Sequence, residues 1–250
     1  MKRFVRSAWA LALAGAMVAP AMAAAQGNKP VVAVFAFDNN SIGKDAADYN
    51  GIGKGVQDFL ITDLAGNSNV VVVDRDRIQQ VLQEQNLIKQ GAIDPQTAVR
   101  IGKLVGAQYA ILGGFMSDGR GHMVLTGRSV SMETGVISNP ERVQAKTDDV
   151  LGLISQLSNK VTHDMKLPVI HHDDGMGMNA PAKPAEEKKV GTTNVKMDLR
   201  TAMLYSKALD AQDSGDKAKA AELFRQVVSK FPDYTPAKDH LAKVTGASSD

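Results

Sequence analysis

Residues 101–115 read IGKLVGAQYAILGGF, and inside this stretch the chain changes from helical to strand periodicity. Ile101 and Val105 continue the inner face of a helix, which an Asp-Pro pair at 94–95 starts as N-cap and first-turn residue. The run from 109 to 115 is strand-like. A helix that leads directly into a strand is typical of a sheet covered by helices.

Two further strands lie upstream and are predicted to be buried on both faces. Residues 30–37 read PVVAVFAF and residues 70–73 are four valines, and such continuous apolar runs indicate strands inside a sheet. Each strand is followed by a helical repeat of apolar residues, the first ending at Gly66-Asn67 and the second capped by Asp76. The apolar stripes consist of Ile52, Val56, Phe59, Leu60 and Leu64 in the first helix and of Ile78, Val81 and Leu82 in the second.

Downstream, the pattern predicts a meander of three strands. The strand at 109–115 is followed by one at 122–131 and by another that runs from Val136-Ile137 towards Val143, with a short turn before each. A last helix begins at Thr147-Asp148. The predicted order is β-α-β-α-α, then three strands, then α, which is an α/β (α+β) sandwich with helices over a mixed sheet.

Four stretches of this domain combine into a recognisable pattern: VVAVFAF (31–37), VVVVDRDRIQQVLQEQNL (70–87), IGKLVGAQYAILGGF (101–115) and SVSMETGVI (129–137). In order and spacing they resemble the CsgG-type domain of bacterial envelope proteins, which is similar to the N-terminal domain of TolB. The resemblance covers about residues 30–165. Members of this family are periplasmic or outer-membrane proteins, and the best known forms the oligomeric secretion channel for curli fibres.

Two features depart from the channel-forming member of that family. The sequence has no cysteine, which removes the acyl anchor and also excludes disulfides, zinc-cysteine sites and a catalytic thiol. The turn at 117–121 is very short where the channel carries long membrane hairpins. We therefore expect that the domain does not insert directly into a membrane.

Residues 1–25 are typical of a secretory signal peptide. They carry Lys2, Arg3 and Arg6, then an apolar run, then small residues with cleavage expected after Ala23 or Ala25. The apolar run is shorter than the ~20 residues of a membrane-spanning helix. We expect a periplasmic protein, with peripheral association with the outer membrane as an option.

Charge and composition exclude several classes of protein. Apolar residues make up 44% of the chain and charged residues 22%, so the chain can bury a core. The formal net charge is +2, but without the three cations of residues 1–25 the remaining 26 basic and 27 acidic residues give −1. This balance does not favour a nucleic-acid partner.

The rest of the chain is predicted to be a linker and a helical unit. Residues 166–196 are rich in Pro, Ala and charges, which indicates a flexible linker. Residues 201–234 span the 34 positions of a tetratricopeptide repeat, with a turn at 214–216, and a third helix follows. The packing positions are Leu204, Ala208, Ala211, Ala220, Phe224, Val227 and Pro232. Because three repeats are usually needed for stability, a single one should pack on the first domain, pair with another copy or be marginally stable.

The predicted organisation therefore has four parts. They are a signal peptide (1–25), a CsgG/TolB-N-like α/β domain (28–165), the flexible linker (166–196) and a tetratricopeptide-like helical domain (197–245).

Two motifs invite a chemical interpretation. Gly51–Gly55 with Lys54 can cradle a phosphate, but the run lacks the Ser or Thr of a Walker loop and does not directly follow a strand, so close backbone packing is the simpler interpretation. His171 and His172, next to Asp173-Asp174, can ligate a metal weakly, although adjacent residues rarely converge on one ion. The sequence has no Gly-x-Ser-x-Gly or His-Glu-x-x-His motif, and we expect neither an enzyme nor a cofactor.

The function that we expect is that of a non-enzymatic envelope module in assembly, transport or secretion, with a protein partner and a capacity for homo-oligomerisation. Because the first helix of a repeat lines its groove, Tyr205, Leu209 and Gln212 are candidate contact residues, and Arg75 and Arg77 are candidate subunit contacts. Three alternatives remain: an outer-membrane secretion-channel subunit, an accessory activator of a peptidoglycan synthase, and, in a different class, a periplasmic phosphate-ligand-binding enzyme that uses Gly51–Gly55.

Overall fold

The computed structural model describes residues 29–44, 46–87, 93–165 and 196–246. The strands within these ranges are β1 (Val31–Val34), β2 (Asp38–Asn39), β3 (Val71–Val72), β4 (Tyr109–Ser117), β5 (His122–Ser131) and β6 (Glu141–Lys146). The α-helices are α1 (Ile52–Ala65), α2 (Arg75–Glu84), α3 (Pro95–Leu104), α4 (Val150–Asp164), α5 (Leu199–Asp213), α6 (Lys217–Lys230) and α7 (Thr235–Thr245). The predicted signal peptide and nearly all of the predicted linker lie outside the described residues.

The strands form one mixed sheet in the order β3-β1-β4-β5-β6, and the short β2 also pairs with β4. β3, β1 and β4 run parallel, whereas β4, β5 and β6 are antiparallel neighbours. Parallel strands need crossover connections, and α1 and the α2–α3 pair supply them. The predicted α/β class with a mixed sheet is confirmed.

Helices cover the two faces of the sheet unequally. The first face carries α1 and α4, which bury side chains such as Val34, Phe115 and Leu125. The second face carries α2 and α3, which bury Phe35 and Val130 among others. Successive side chains of a strand point to opposite faces, so the neighbours Val34 and Phe35 are buried in different core clusters.

Two predicted helix starts and one predicted strand start are shifted in the structure. The N-cap of α2 is Asp74, whose Oδ1 accepts from the Asp76 amide at 2.7 Å, so Asp76 is the second residue of the helix. The N-cap of α4 is Asp149, which accepts from the Gly152 amide, rather than Thr147-Asp148. In the third strand of the meander, Ile137 makes an isolated bridge to Val130, and β6 begins after Pro140, which has no amide hydrogen to donate.

The C-terminal helices pack on the first face and share its core. Of the three arrangements left open by the sequence, the structure shows the one in which the helical unit packs on the first domain. Residues 147–150 and 197–199 are joined by two backbone hydrogen bonds of 2.8 Å, from the Val150 amide to the Met197 carbonyl and from the Leu199 amide to the Thr147 carbonyl. The tetratricopeptide resemblance itself stays a prediction.

Candidate partner-binding site

The glycine run 51–55 allows α5 to pack closely against the sheet domain. A Cβ atom at Gly53 would lie 1.9 Å from the carbonyl oxygen of Phe37, and one at Gly55 would lie 2.1 Å from Oγ of Ser206. A side chain at Gly53 would therefore clash with the segment between β1 and β2, and one at Gly55 would clash with α5. The close-packing interpretation fits this geometry, because the glycines face neighbouring chain segments and not an open space.

Lys54, the cation of that run, is held by α5. Its Nζ lies 2.5 Å from Oδ1 of Asp210 and 2.9 Å from Oδ2 of Asp213. Burial opposes the charge of Lys54, but hydrogen bonds and attraction from the two carboxylates outweigh it and raise the pKa of the ammonium group. Lys54 is thus committed to the contact between α1 and α5.

Arg75 and Arg77, the candidate subunit contacts, have different surroundings. Arg75 is 2% exposed, and its Nη2 donates to Oδ2 of Asp213 at 2.5 Å, so it pairs within the chain. Burial disfavours its charge, but Asp213 raises the pKa of the guanidinium. Arg77 is exposed and donates to Oε1 of Gln80 at 3.1 Å. Of the two, Arg77 is the one open to a partner.

Asp58 forms a buried polar centre where α1 meets α5 and α7. Its Oδ2 accepts from the Tyr205 hydroxyl at 2.5 Å, and its Oδ1 lies 3.4 Å from Nε2 of His240. Nδ1 of His240 lies 3.0 Å from Oε1 of Gln212. Burial acts to raise the pKa of Asp58, but His240, Tyr205 and Arg75 favour the carboxylate and leave that pKa lowered. The four side chains fix how the C-terminal helices sit on α1.

The three candidate groove residues of the repeat therefore lie at an internal contact. Tyr205 and Leu209 are fully buried, and the ring of Tyr205 stacks on Phe59 of α1 with centroids 5.1 Å apart. Gln212 is half-buried beside His240. A partner can reach Tyr205 and Leu209 only if α5 separates from α1. The small residues of α5, such as Ala202 and Ser206, were the sequence signal for this close contact.

No cluster of three or more metal-ligating side chains occurs within the ranges 29–44, 46–87, 93–165 and 196–246. His171 and His172 lie outside the described residues. Across those same ranges, no helix combines the length and apolar character needed to cross a membrane.

The described helices cover the second face of the sheet only in part. On this second face, α3 covers Leu112 and Val130. None of the described helices lies over the far half of β4 and β5 or over β6 on this face, whereas α4 covers β5 and β6 on the first face. We call the uncovered surface of the second face the open face and define it by Met116, Val124, Thr126, Arg128, Arg142 and Lys146. In HMVLTGR (122–128), His122, Thr126 and Arg128 share one side of the strand and Met123 and Leu125 the other, which is a partial sequence signal for a polar face.

The strand register arranges the open face in rows. Met116 lies opposite Val124, and in the next row Gly114, Thr126 and Arg142 are neighbours across three strands. Arg128 lies further along β5, and Lys146 lies opposite His122 at the outer end. Apolar and small side chains thus occupy the centre, and cations surround them.

Charge on the open face is positive. Arg128, Arg142 and Lys146 are exposed. A cavity of about 280 Å³ at the inner end contains Asp38 and Arg128. Burial raises the pKa of Asp38, and the nearby Arg128 opposes that effect. At the outer end, Asp118 accepts hydrogen bonds from the backbone amides of Arg120 and His122, which help to hold its pKa at about 2.

Comparison with known proteins identifies the N-terminal domain. Residues 14–121 match the family model of the curli production assembly/transport component CsgG, which is consistent with the CsgG-type domain that the sequence predicts. None of the curated proteins is significantly similar to this chain.

Several solved structures are similar to part of the chain. The C-terminal domain of LpoB from Salmonella enterica is 19% identical, with 47% of this chain and 83% of that chain covered and a TM-score of 0.35. TolB from Acinetobacter baumannii is 11% identical over 55% of this chain and 28% of its own, with a TM-score of 0.38. The PelC dodecamer from Paraburkholderia phytofirmans is 15% identical over 56% and 89%, with a TM-score of 0.31.

Proposed function

We propose that this protein is a non-enzymatic accessory module of the bacterial cell envelope, exported to the periplasm, which binds a protein partner through the open face. The CsgG-type domain supports an envelope role. The single observation that favours this surface is that the described helices leave half of the second sheet face uncovered, with apolar side chains surrounded by cations.

The glycine run supports a binding module more than a phosphate-dependent enzyme. Gly53 and Gly55 pack against Phe37 and Ser206, and Lys54 is neutralised by Asp210 and Asp213. A phosphate would have to displace α5 to reach these groups. The residues that suggested phosphate binding therefore serve the packing of the fold.

Site-specific photocrosslinking in living cells tests the proposal. A photoreactive amino acid at Gln144, which is exposed on β6 and lies opposite Val124 of the open face, should yield adducts with an envelope protein that mass spectrometry can identify. The matched control is the same amino acid at Glu222, which is exposed on α6. Absence of adducts from both positions, or adducts with cytoplasmic proteins alone, would contradict the proposal.

A further inference from the structure

The open face has the width and length of one short helix. Neighbouring strands lie ~4.8 Å apart, so β4, β5 and β6 span ~10 Å, which matches the diameter of an α-helix. The six residue steps from His122 to Arg128 extend ~20 Å at ~3.4 Å per residue, which matches about 13 helical residues. α3 already lies over the neighbouring part of this sheet face. A partner helix beside it would complete the helical layer.

The side chains of the open face select an acidic and partly apolar surface. Arg128, Arg142 and Lys146 are exposed cations, and Nη2 of Arg142 has only a long contact of 3.4 Å, to Gln144. Asp38, which lines the same cavity as Arg128, is half-buried at the inner end. Carboxylates of a partner would therefore meet complementary charge, which steers association and fixes register.

The apolar centre favours a protein helix over an anionic polysaccharide. Met116 is 37% exposed, and Val124 lies opposite it in the β4–β5 register. In the next row Thr126 is half-buried, and Gly114 lies under the side chain of Asn40, so the apolar contact is limited to Met116 and Val124. Burial of such apolar area supplies most of the affinity of protein contacts, and a sugar polymer has little of it to offer.

We propose that the open face binds an amphipathic, acidic helix of the partner protein, with its apolar stripe on Met116 and Val124 and its carboxylates on Arg128, Arg142 and Lys146. This inference rests on the proposed function and names the chemistry of the partner. The cationic edge strand also keeps β6 from pairing with other strands, because charged side chains discourage edge-to-edge association.

Two helix-stapled peptides of 14 residues are the probes. Both carry leucines at alternating spacings of three and four, with glutamate at all other positions in one and lysine in the other. Backbone amide shifts of the isotope-labelled full chain are measured at low salt. The glutamate peptide should shift amides of 114–116, 124–128 and 142–146 and bind at least about tenfold more tightly than the lysine peptide, since screening is weak there. Equal binding, or shifts elsewhere, would overturn the inference.

Charge-reversal variants make the test specific. Arg142→Glu with Lys146→Glu should invert the preference between the two peptides. The control Lys219→Glu with Arg225→Glu makes the same change in net charge on exposed positions of α6 and should leave the preference unchanged. A loss of preference in both variants would mean that net charge alone drives binding, and would contradict the inference.

A second control asks whether the chain covers its own open face. Residues 168–192 are replaced by a Gly-Ser segment of equal length, and the amide shifts of the open face should not change without peptide. A change there would identify this segment as the occupant and overturn the inference. If Gln144 crosslinks to an envelope protein but neither peptide binds, the inference fails while the proposed function stands. If no position crosslinks, the proposed function fails whatever the peptides do.

Discussion

At the scale of single residues, Gly55 decides how closely α5 approaches α1. A Cβ atom there would lie 2.1 Å from Oγ of Ser206, a buried side chain whose hydroxyl already donates to the Ala202 carbonyl. Gly55→Val should therefore lower the free energy of unfolding by about 1–3 kcal/mol, the usual cost of overpacking. Urea denaturation checks this. Ala65→Val, at an exposed position of the same helix, is the control. Equal losses of stability in both variants would contradict the claim that Gly55 allows α5 to pack closely on α1.

Asp58 makes the attachment of the C-terminal helices depend on pH. Its pKa in the folded chain is lowered, since His240 and Tyr205 favour the carboxylate more strongly than burial opposes it. A lowered folded pKa gives stability that is present above the ordinary value of about 4 and lost as the pH falls through the folded value.

Asp58→Asn should therefore lose less stability between pH 5 and pH 3 than the unaltered chain. Urea unfolding at both pH values measures the difference. Asp239→Asn, which removes an exposed carboxylate from the same helix as His240, should keep the pH dependence of the unaltered chain. An identical pH dependence in Asp58→Asn would show that Asp58 makes no such contribution.

At the scale of elements, α5, α6 and α7 form one aromatic cluster with α1. Phe224 of α6 stacks on His240 with ring centroids 5.3 Å apart and meets Tyr205 edge-to-face at 5.7 Å, and Tyr205 stacks in turn on Phe59. Loosening α6 should therefore disturb α1 as well. The contacts between these helices are made by interlocking aromatic side chains.

Phe224→Ala should lower the stability of the whole protein by about 3–5 kcal/mol, as expected when a buried Phe is truncated. Circular dichroism and tyrosine fluorescence should report one shared transition at lower denaturant, because Tyr205 contacts both Phe224 of α6 and Phe59 of the sheet domain. Gln226→Ala on the exposed side of α6 is the control. Two separate transitions, with the sheet domain unaffected, would mean that the helical unit folds independently.

At the scale of the whole molecule, the sheet domain and the helical unit are complementary pieces of one core. Ion pairs join them at three places: Lys54 with Asp210 and Asp213, Arg75 with Asp213, and Lys243 with Asp76. We therefore expect the two units to stay associated when the covalent connection between them is cut.

A site-specific protease site introduced near residue 180 tests this. After cleavage, the two fragments should elute together in gel filtration without denaturant and separate in urea. In the Gly55→Val background the cut fragments should separate at a lower urea concentration, because the packing of α5 on α1 is weakened. Fragments that separate without denaturant would contradict the shared core.

The amino-acid sequence by itself determined the order of the elements and the class of the fold. Strand and helix periodicities are local, so the runs at 31–37, 70–73 and 109–115 could be assigned without knowledge of their neighbours. The same stretches carried the likeness to the CsgG family. Helix starts were shifted by one or two residues because several Asp and Thr side chains stood near each start, and only the geometry selects the one that accepts from an amide.

Only the tertiary structure decided which buried surfaces meet. Periodicity marks Tyr205 and Leu209 as one apolar face but does not say whether a partner or α1 covers it. Arg75 finds its carboxylate on Asp213, 138 residues away along the chain. The sequence of Gly51–Gly55 favours close backbone packing over a phosphate cradle, but only the structure shows that α5 is the element that packs there. The open face exists because the described helices cover only part of the second sheet face, and such coverage depends on contacts distant in sequence, which no local pattern records.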